Sequence, residues 1–343
     1  MKRRMTRLAA LALTLGACSA DHATAPVAAP DAALGREGPS IQATWLPWGL
    51  AMVPGYNEGA AYSIDVSSNV AGAVWNGGGL TQAVVWINGG SPTIITPPAG
   101  TSGAFLQAQH LGTYVGAGIT SAGVTHAMKA TLAGGATLLD DAGYASSTAT
   151  SISAPLWGAG WIVGSVEDAA GNDTPVRWSL QTGARTALPL PAGYVGGYAS
   201  DVAANGQTVG TITDAGGSSR AYLWNSDGTG TFLAPAPSLA RSISSTGMIA
   251  MELNGGGAVT SPPYTTYTVL WTGNVWDVNG LNRVVGNAGG SARTWRNGVV
   301  VNIAYPGATS SWPRSINSCG NIVGQARVNG LTIPVRWIIS QCE

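Results

Sequence analysis

Three features of the sequence predict an all-β fold built from repeated units. The first is that charged side chains make up only 9% of the 343 residues, while glycine fills 49 positions. The second is an excess of 13 tryptophans over two phenylalanines. A chain rich in Gly, Ser, Thr, Val and Trp and poor in Glu, Lys and Leu cannot be mainly helical. The third feature is a motif that returns about every forty residues, which is typical of repeat architectures.

The repeated motif opens with Ser or Asp, continues with Ile or Val and a small polar residue, and closes after a turn with a Val/Ile-Val-Gly sequence. Seven copies, some degenerate, cover residues 63–72, 107–116, 151–164, 201–210, 242–251, 277–286 and 315–324. Their closing residues are 44, 48, 46, 41, 35 and 38 positions apart. The copies around Met251 and Trp276 are the least regular, so the repeat leaves six or eight units open as alternatives to seven.

Each copy belongs to a unit of four short β-like runs separated by Gly, Asn or Asp turns. In the first unit these runs cover residues 62–66, 70–75, 83–87 and 93–96. Four strands in about forty residues, repeated seven times, predict a seven-bladed β-propeller. A tryptophan follows most copies at the expected end of the third strand: Trp86, Trp178, Trp224, Trp271, Trp295 and Trp337. We expect these rings to fill the core between blades, and the alternative is an exposed row that stacks on sugars.

The two ends of the chain predict how the ring closes. The seventh copy stops after its third strand, at residues 335–339, and lacks a fourth. Residues 50–56 match residues 187–194, which follow the third strand of another unit. We therefore expect the N-terminal segment to supply the outer strand of the last blade, which removes an open sheet edge.

The N-terminus has the features of an export signal. Residues 1–17 combine four basic side chains with the apolar segment 8–15, which is too short to span a bilayer. The sequence Leu15-Gly16-Ala17-Cys18 resembles the lipobox of bacterial lipoproteins, and that resemblance implies cleavage before Cys18 and its lipidation. The alternative is an ordinary signal peptide with a chance cysteine. Ser19, directly after the cysteine, favours a location at the outer membrane or cell surface. We expect residues 18–40 to form an Ala/Pro-rich tether and residues 41–343 to form a single domain.

Net charge argues against one class of partner. The formal charge of zero includes the four basic residues of the signal. Without them the chain has 12 basic and 16 acidic side chains, which gives a net charge of −4. Sequence-independent nucleic-acid binding needs a basic surface, so we expect no nucleic-acid partner. The membrane is contacted through the lipid anchor only.

Two further cysteines remain. Cys319 lies in the first turn of the last copy, and Cys342 is the penultimate residue. An exported protein with an even number of remaining cysteines is expected to join them as a disulfide. A catalytic thiol is the competing interpretation.

The last copy, Ser315-Ile316-Asn317-Ser318-Cys319-Gly320-Asn321-Ile322-Val323-Gly324, resembles the opening of the HAF family extracellular repeat. The family's His-Ala-Phe-Leu-Trp-like strand is echoed at residues 220–224 and 126–128. The resemblance covers about residues 50–339. It implies an exported repeat protein and brings no catalytic residues with it.

Few residues have the pattern of a catalytic or metal site. His110 and His126 are not at a metal-ligand spacing and are expected on strand surfaces. Asp140-Asp141 could form half of a glycosidase pair, but a turn role is favoured. Weak calcium candidates are Glu167, Asp168, Asp173 and Asp227, and none of them matches a defined calcium loop. We otherwise expect no cofactor and no metal.

Because innermost strands line the channel of a propeller, the openings of the repeats hold the candidate ligand-binding residues. They are Asp65, Gln109, Asp201, Arg241, Asp277, Arg314 and Asn317. Such amides, carboxylates and guanidiniums suit polar ligands or bound water. The sequence thus favours a non-catalytic surface module that binds or scaffolds polysaccharide or another surface protein. Two alternatives stay open: a carbohydrate-active lyase or hydrolase that uses Asp and Arg at the channel mouth, and a purely structural repeat protein.

Overall fold

Short strands separated by tight turns form seven four-stranded antiparallel sheets, so the predicted seven-bladed β-propeller is confirmed. The computed structural model describes residues 45–77, 81–153, 160–340 and 342. Blades are numbered 1 to 7 in chain order. Blades 1 and 2 consist of β2 (Glu58–Ile64), β3 (Val70–Trp75), β4 (Thr81–Trp86), β5 (Pro92–Ile94), β6 (Gly103–His110), β7 (Thr113–Ile119), β8 (Thr125–Thr131) and β9 (Gly135–Leu138). Blades 3 and 4 consist of β10 (Ser146–Ser153), β11 (Trp161–Glu167), β12 (Asp173–Ser179), β13 (Arg185–Ala187), β14 (Tyr194–Val202), β15 (Thr208–Asp214), β16 (Ser219–Trp224) and β17 (Gly230–Phe232).

The remaining three blades follow the same order. Blades 5 and 6 consist of β18 (Ser238–Ile243), β19 (Ile249–Leu253), β20 (Gly256–Thr260), β21 (Tyr267–Thr272), β22 (Asn274–Val278), β23 (Val284–Ala288), β24 (Ser291–Arg296) and β25 (Val299–Asn302). Blade 7 consists of β26 (Ser310–Ile316), β27 (Ile322–Val328), β28 (Leu331–Ile339) and the N-terminal β1 (Trp45–Gly49). The first strands of neighbouring blades contact one another around the ring, so they line the central channel.

Every innermost strand carries a one-residue β-bulge at the same position. The register shifts by one between the residue before and the residue after the bulge in all seven blades. The bulged residues are, from blade 1 to blade 7, Tyr62, Gln107, Thr150, Ser200, Arg241, Trp276 and Arg314. A bulge re-aims side chains, so this position decides what the wall of the channel presents.

The closing glycine of the repeat is explained by the same bulge. A Cβ atom on Gly72, Gly164 or Gly324 would overlap a backbone carbonyl oxygen of the innermost strand of its own blade. Gly116, Gly210 and Gly286 have the same overlap. Six of the seven motifs therefore end in glycine because the bulged strand comes too close for any side chain. Blade 5 has the buried Met251 at this position.

The hydrophobic core is divided into seven clusters, each lying largely between two blades. Trp86, Trp178 and Trp224 end third strands and are at most 1% exposed, which confirms the core interpretation for them. Their indole nitrogens donate to carbonyls of the segments that lead into their own blades. Trp271 does not follow the prediction, since it lies on the fourth strand of blade 5 and packs against blade 6, next to Gly286.

The ring closes as the sequence predicts, although the strand is placed five residues earlier. β1 pairs antiparallel with β28, from Trp45 opposite Ile339 to Gly49 opposite Val335. Residues 50–56 instead correspond to the link that follows a fourth strand, because the matching residues 187–194 lie after β13 except for Ala187, its last residue. The predicted disulfide joins Cys319 to Cys342 with their Cα atoms 4.5 Å apart, so the C-terminal tail is fixed to the first turn of blade 7.

The predicted signal peptide, Cys18 and the tether lie outside the described residues. Within the described ranges, no helix is both long enough and apolar enough to span a membrane.

Candidate binding site in the central channel

The seven bulged residues differ sharply in chemistry around the channel, and all are half-buried. Blades 5, 6, 7 and 1 present Arg241, Trp276, Arg314 and Tyr62, a set called here the arginine–aromatic arc. Blades 3 and 4 present Thr150 and Ser200, called here the hydroxyl arc. Because the backbone is alike in every blade, only the side chains distinguish the two arcs.

The members of the arginine–aromatic arc touch one another across blade boundaries. The Arg314 guanidinium carbon lies 4.1 Å from the centre of the Trp276 ring and 6.0 Å from that of Tyr62. The Arg241 guanidinium carbon lies 5.3 Å from the Trp276 ring. Guanidinium groups at these distances are attracted by the ring quadrupole. The indole itself is held by a 2.9 Å hydrogen bond from Trp276 Nε1 to Asn287 Oδ1.

The two arginines of this arc differ in whether an anionic partner compensates their charge. Arg241 Nε lies 3.0 Å from Glu252 Oε1 in a partly buried ion pair. Arg314 has no hydrogen-bond or ion-pair partner among the described residues, and its buried Nε is left unsatisfied. Burial lowers the pKa of Arg314; Tyr62 opposes this shift and the positive charge of Arg241 adds to it. The arc therefore keeps one guanidinium charge without an anionic partner.

The hydroxyl arc is used to join blades. Thr150 Oγ1 donates to Ala199 O of the next blade at 2.8 Å, and Ser200 Oγ donates to Ala240 O of the blade after that, also at 2.8 Å. These hydroxyls therefore stabilise the ring itself. Their single O–H donors are used within the ring, and only acceptor lone pairs are left for a ligand.

One residue beyond the bulge, six of the seven blades have a serine or an aspartate, and blade 2 has Ala108. Ser151 and Ser242 donate to Asp201 at 2.6 and 2.9 Å, and Ser242 Oγ also lies 2.7 Å from Asp277 Oδ1. The backbone N–H groups of Ile243 and Ile316 add one bond to each carboxylate, both at 2.9 Å. This row connects blades 3 to 7 and is called here the Ser–Asp girdle.

Asp277 is an unusual carboxyl group. Burial, together with the negative charge of Asp201, raises its pKa to about 6, although hydrogen bonds from Ile316, Ser242 and Ser315 oppose the shift. A carboxyl with such a pKa exchanges its proton near neutral pH. Its oxygens are nevertheless already occupied by donors of the neighbouring blades.

The structure brings four of the seven predicted channel residues together. Arg241 and Arg314 occupy bulge positions, and Asp201 and Asp277 lie in the girdle directly beyond them. The other three lie at the first turns or just before them: Asp65 caps its own turn, whereas Gln109 and Asn317 bond to the neighbouring blade. Asp65 accepts the Asn69 N–H at 2.8 Å. Asn317 Nδ2 donates to Asp65 O at 2.9 Å, and Gln109 Nε2 donates to Asn69 O at 2.7 Å.

Sequence reasoning missed Trp276 and Tyr62, the two aromatic members of the arc. The signal was present, because Arg241 and Arg314 were recognised as the residues just before two repeat openings. The same position in the other copies gives Tyr62 and Trp276. In the second copy the alignment is one residue off, since the first turn of blade 2 is shorter and Gln107 is the bulge residue.

Three of the weak calcium candidates, Glu167, Asp168 and Asp173, lie at the β11–β12 hairpin, and Asp227 lies in a turn of blade 4. Asp168 accepts the backbone N–H groups of Ala170 and Asn172 at 2.8 and 3.0 Å, and Asp227 accepts that of Thr229 at 2.9 Å. Hydrogen bonds from these turns lower the pKa of both carboxyls. Glu167 and Asp168 line an open groove of about 520 Å³ between blades 2 and 3. Nowhere in the described ranges do three His, Cys, Asp or Glu side chains gather as metal ligands.

Burial and the charge of Glu167 raise the pKa of Asp173, the remaining calcium candidate.

His126 and Asp141 form a side-chain contact that connects blades 2 and 3. His126 Nδ1 lies 2.7 Å from Asp141 Oδ2, which also accepts the Ser147 hydroxyl at 2.7 Å. Ser147 Oγ in turn accepts the backbone N–H of Ala127 at 2.7 Å. The neighbouring Asp140 offers its backbone carbonyl to Trp178 Nε1 at 2.6 Å. These contacts place Asp140 and Asp141 in the link between two blades.

Comparison with known proteins shows the fold alone. No protein-family model matches the chain, and no curated protein is similar to it in sequence. Among solved structures, a streptogramin B lyase is 10% identical with a TM-score of 0.56, covering 86% of this chain and 98% of the lyase. A puromycin hydrolase is 13% identical with a TM-score of 0.59, covering 86% of this chain but only 55% of the hydrolase.

A third solved structure, YCF48 bound to a D1 peptide, is 12% identical with a TM-score of 0.53 and covers 86% of this chain and 94% of the other. These neighbours include a lyase, a hydrolase and a protein bound to a peptide. Similarity at this level of identity identifies the architecture, because one fold hosts many functions. The chain is a seven-bladed β-propeller with distant structural neighbours.

Proposed function

We propose that this protein is a non-catalytic binding module for polysaccharide, with the ligand held at the arginine–aromatic arc of the channel. The observation that carries the proposal is the contrast between the arcs. Thr150 and Ser200 are occupied in joining blades, whereas Arg314 has no polar partner among the described residues. Aromatic rings beside polar groups in a concave wall are the usual composition of a ligand site.

We further propose that the module belongs to the HAF extracellular repeat family and is exported and lipid-anchored through Cys18 at the outer membrane or cell surface. The repeat motif and the lipobox-like sequence support this placement. An anchored protein with a tether of about twenty residues extends its channel away from the lipid surface. Polysaccharide, or another surface protein, is then the partner within reach.

The experiment follows two signals with one panel of extracellular polysaccharides. The full-length chain, purified in detergent, is tested for retention of each glycan and for release of new chain ends. We expect retention without new ends. Retention is expected to be lost in Trp276→Ala and kept in Trp48→Ala, a matched control on the outer strand β1 where the ring is 57% exposed. Thermal melting of both variants checks that they are folded. Absence of retention across the panel would contradict the proposal.

A carbohydrate-active lyase or hydrolase is the second candidate, and one observation favours it. The pKa of Asp277, raised to about 6, is suited to proton transfer at neutral pH. New chain ends that disappear in a folded Asp277→Asn variant would establish this second function. A purely structural role remains if neither retention nor chain ends are found and protein partners also fail to bind.

A further inference from the structure

The arginine–aromatic arc is a cationic site whose charge is only half compensated. Two guanidiniums lie beside one indole, at 4.1 and 5.3 Å from its centre. Glu252 compensates Arg241, while Arg314 pairs with no carboxylate among the described residues. A partly buried cation without a counter-ion is costly unless a ligand supplies the missing negative charge.

The environment of Arg314 argues for an incoming anion. Its guanidinium carbon lies 4.1 Å from the centre of the Trp276 ring, and its N–H donors are bonded to no group of the described residues. A guanidinium offers its donors in a rigid fork that matches the two oxygens of a carboxylate. Water can satisfy these donors, but it leaves the charge of Arg314 and the repulsion from Arg241 uncompensated.

The amount of free charge favours a monoanion. Glu252 already pairs with Arg241, so Arg314 is the guanidinium left to pair with a ligand. The carboxyl groups of Asp201 and Asp277 lie one residue beyond the bulges and add negative charge to the innermost strands. These charges would repel a dianionic phosphate group more strongly than a single carboxylate.

We infer that the arginine–aromatic arc binds a carboxylate group, so that the glycan held in the channel is an acidic one built from uronic acid units. This inference rests on the proposed function, which makes a polysaccharide the ligand. Arg314 makes the direct contact, Arg241 adds attraction, and Trp276 and Tyr62 hold the guanidiniums in place.

The test compares each acidic glycan with a form of itself that lacks the charge. Galacturonan, alginate and hyaluronan oligosaccharides are titrated onto the full-length chain in detergent, beside their methyl esters. We expect binding of at least one acidic glycan, with affinity falling at least tenfold on esterification and falling with added salt. Equal binding of acid and ester overturns this inference and leaves the binding module intact. Binding of none of them overturns this inference, and the proposed function is overturned only if the wider polysaccharide panel also shows no retention.

Variants assign the effect to the arc. Arg314→Gln is expected to weaken binding of the acidic glycan at least tenfold and to leave binding of its ester unchanged. Arg327→Gln is the matched control, since Arg327 is exposed on the second strand of the same blade. Arg314→Lys, which keeps the charge and loses the fork, should give an intermediate affinity. Unchanged binding in a folded Arg314→Gln protein overturns the assignment.

A competition experiment distinguishes a carboxylate ligand from a phosphate ligand. Acetate and inorganic phosphate are added at equal concentration and ionic strength to the bound complex. Displacement that is stronger with acetate supports the carboxylate assignment. Displacement that is stronger with phosphate overturns it in favour of a phosphate-bearing ligand.

Discussion

The two arcs of the channel share a backbone and differ in what their side chains do. At Thr150 and Ser200 the bulge directs a hydroxyl onto a carbonyl of the next blade, and the side chain becomes part of the ring. At Arg314 and Trp276 the same bulge directs a cation and an indole at each other, and Arg314 is bonded to no backbone group of the described ranges. One position of the repeat thus joins blades in one part of the ring and is left without such a bond in another.

The largest expected effect is on stability and concerns the closing glycines, which lie opposite the bulge in both arcs. Gly164→Ala places a Cβ atom against the Thr148 carbonyl, which belongs to the backbone of the bulged strand and cannot move aside. We expect a loss of about 3 kcal/mol or more in the free energy of unfolding, at the upper end for overpacked cores. Gly324→Ala, opposite the Arg314 bulge, should be equally damaging.

Urea unfolding of both glycine variants measures this loss. Gly77→Ala is the control, because a Cβ atom there meets nothing within 4 Å. A much smaller loss in one arc than in the other would show that the two bulges are not equivalent.

The Ser–Asp girdle, one residue beyond the bulges, should make the free energy of unfolding depend on pH. The pKa of Asp277 is raised from 3.8 to about 6, so the folded state holds this proton more tightly than the unfolded state. Its stabilising contribution is complete below about pH 4 and is lost as the pH rises through 6, on the order of 3 kcal/mol in all. Unfolding free energies measured from pH 4 to 7 should therefore show this fall.

Asp277→Asn cannot titrate and should lack most of that fall, while Asp173, whose pKa is also raised, acts in the same direction in both proteins. The carboxyls of Asp168 and Asp227, whose pKa values are lowered, act in the opposite direction and below about pH 4. The two contributions are thus separated along the pH axis. Identical pH profiles for the wild-type and variant proteins would contradict the assignment to Asp277.

A smaller effect separates the arcs directly. Thr150→Val keeps the shape of the side chain but removes bonds to Ala199 O and Val163 O, at 2.8 and 3.1 Å. We expect a loss of about 1–2 kcal/mol. Arg314→Gln should cost close to nothing in stability, because it removes a desolvated charge that no described residue balances. Denaturant unfolding measures the free energy of unfolding of both variants. A larger loss in Arg314→Gln than in Thr150→Val would contradict the division into a structural arc and a binding arc.

The smallest effect concerns affinity. Glu252→Gln removes the counter-ion of Arg241 while keeping a hydrogen-bond acceptor for it. The arc then carries more free positive charge, so its affinity for an acidic oligosaccharide should rise about threefold at low salt, less than 1 kcal/mol. Titration calorimetry measures the change, and the increase should vanish at high salt. An affinity that falls would show that Glu252 holds Arg241 in its binding position.

Much of the architecture followed from residue patterns alone. The spacing of the closing glycines predicted seven blades, and the incomplete seventh copy predicted that the N-terminus completes the last sheet. The register of that closing strand did not follow, since the matched residues 50–56 belong to the link and β1 lies before them. Trp271 was misplaced on the third strand because blade 5 has Thr260 at that position and holds its tryptophan one strand later.

The site was predictable in part. Arg241, Arg314, Asp201 and Asp277 were identified by their positions beside the repeat openings. The bulge was not visible, because an inserted residue leaves no mark in a pattern of alternating side chains until the strand pairing is known. For that reason Tyr62 and Trp276 were missed. Asp65 and Asn317 cap the turns that follow their innermost strands, a role that only the hydrogen bonds of the folded chain reveal.

By itself, the sequence determined the blades, because each copy of the motif forms its strands and turns from local contacts. Only the closed ring decided which side chains meet. Tyr62 and Arg314 are 252 positions apart and become neighbours because the last blade packs on the first. The raised pKa of Asp277 and the uncompensated charge of Arg314 likewise arise from burial and from charges on other blades, which act through space and not along the chain.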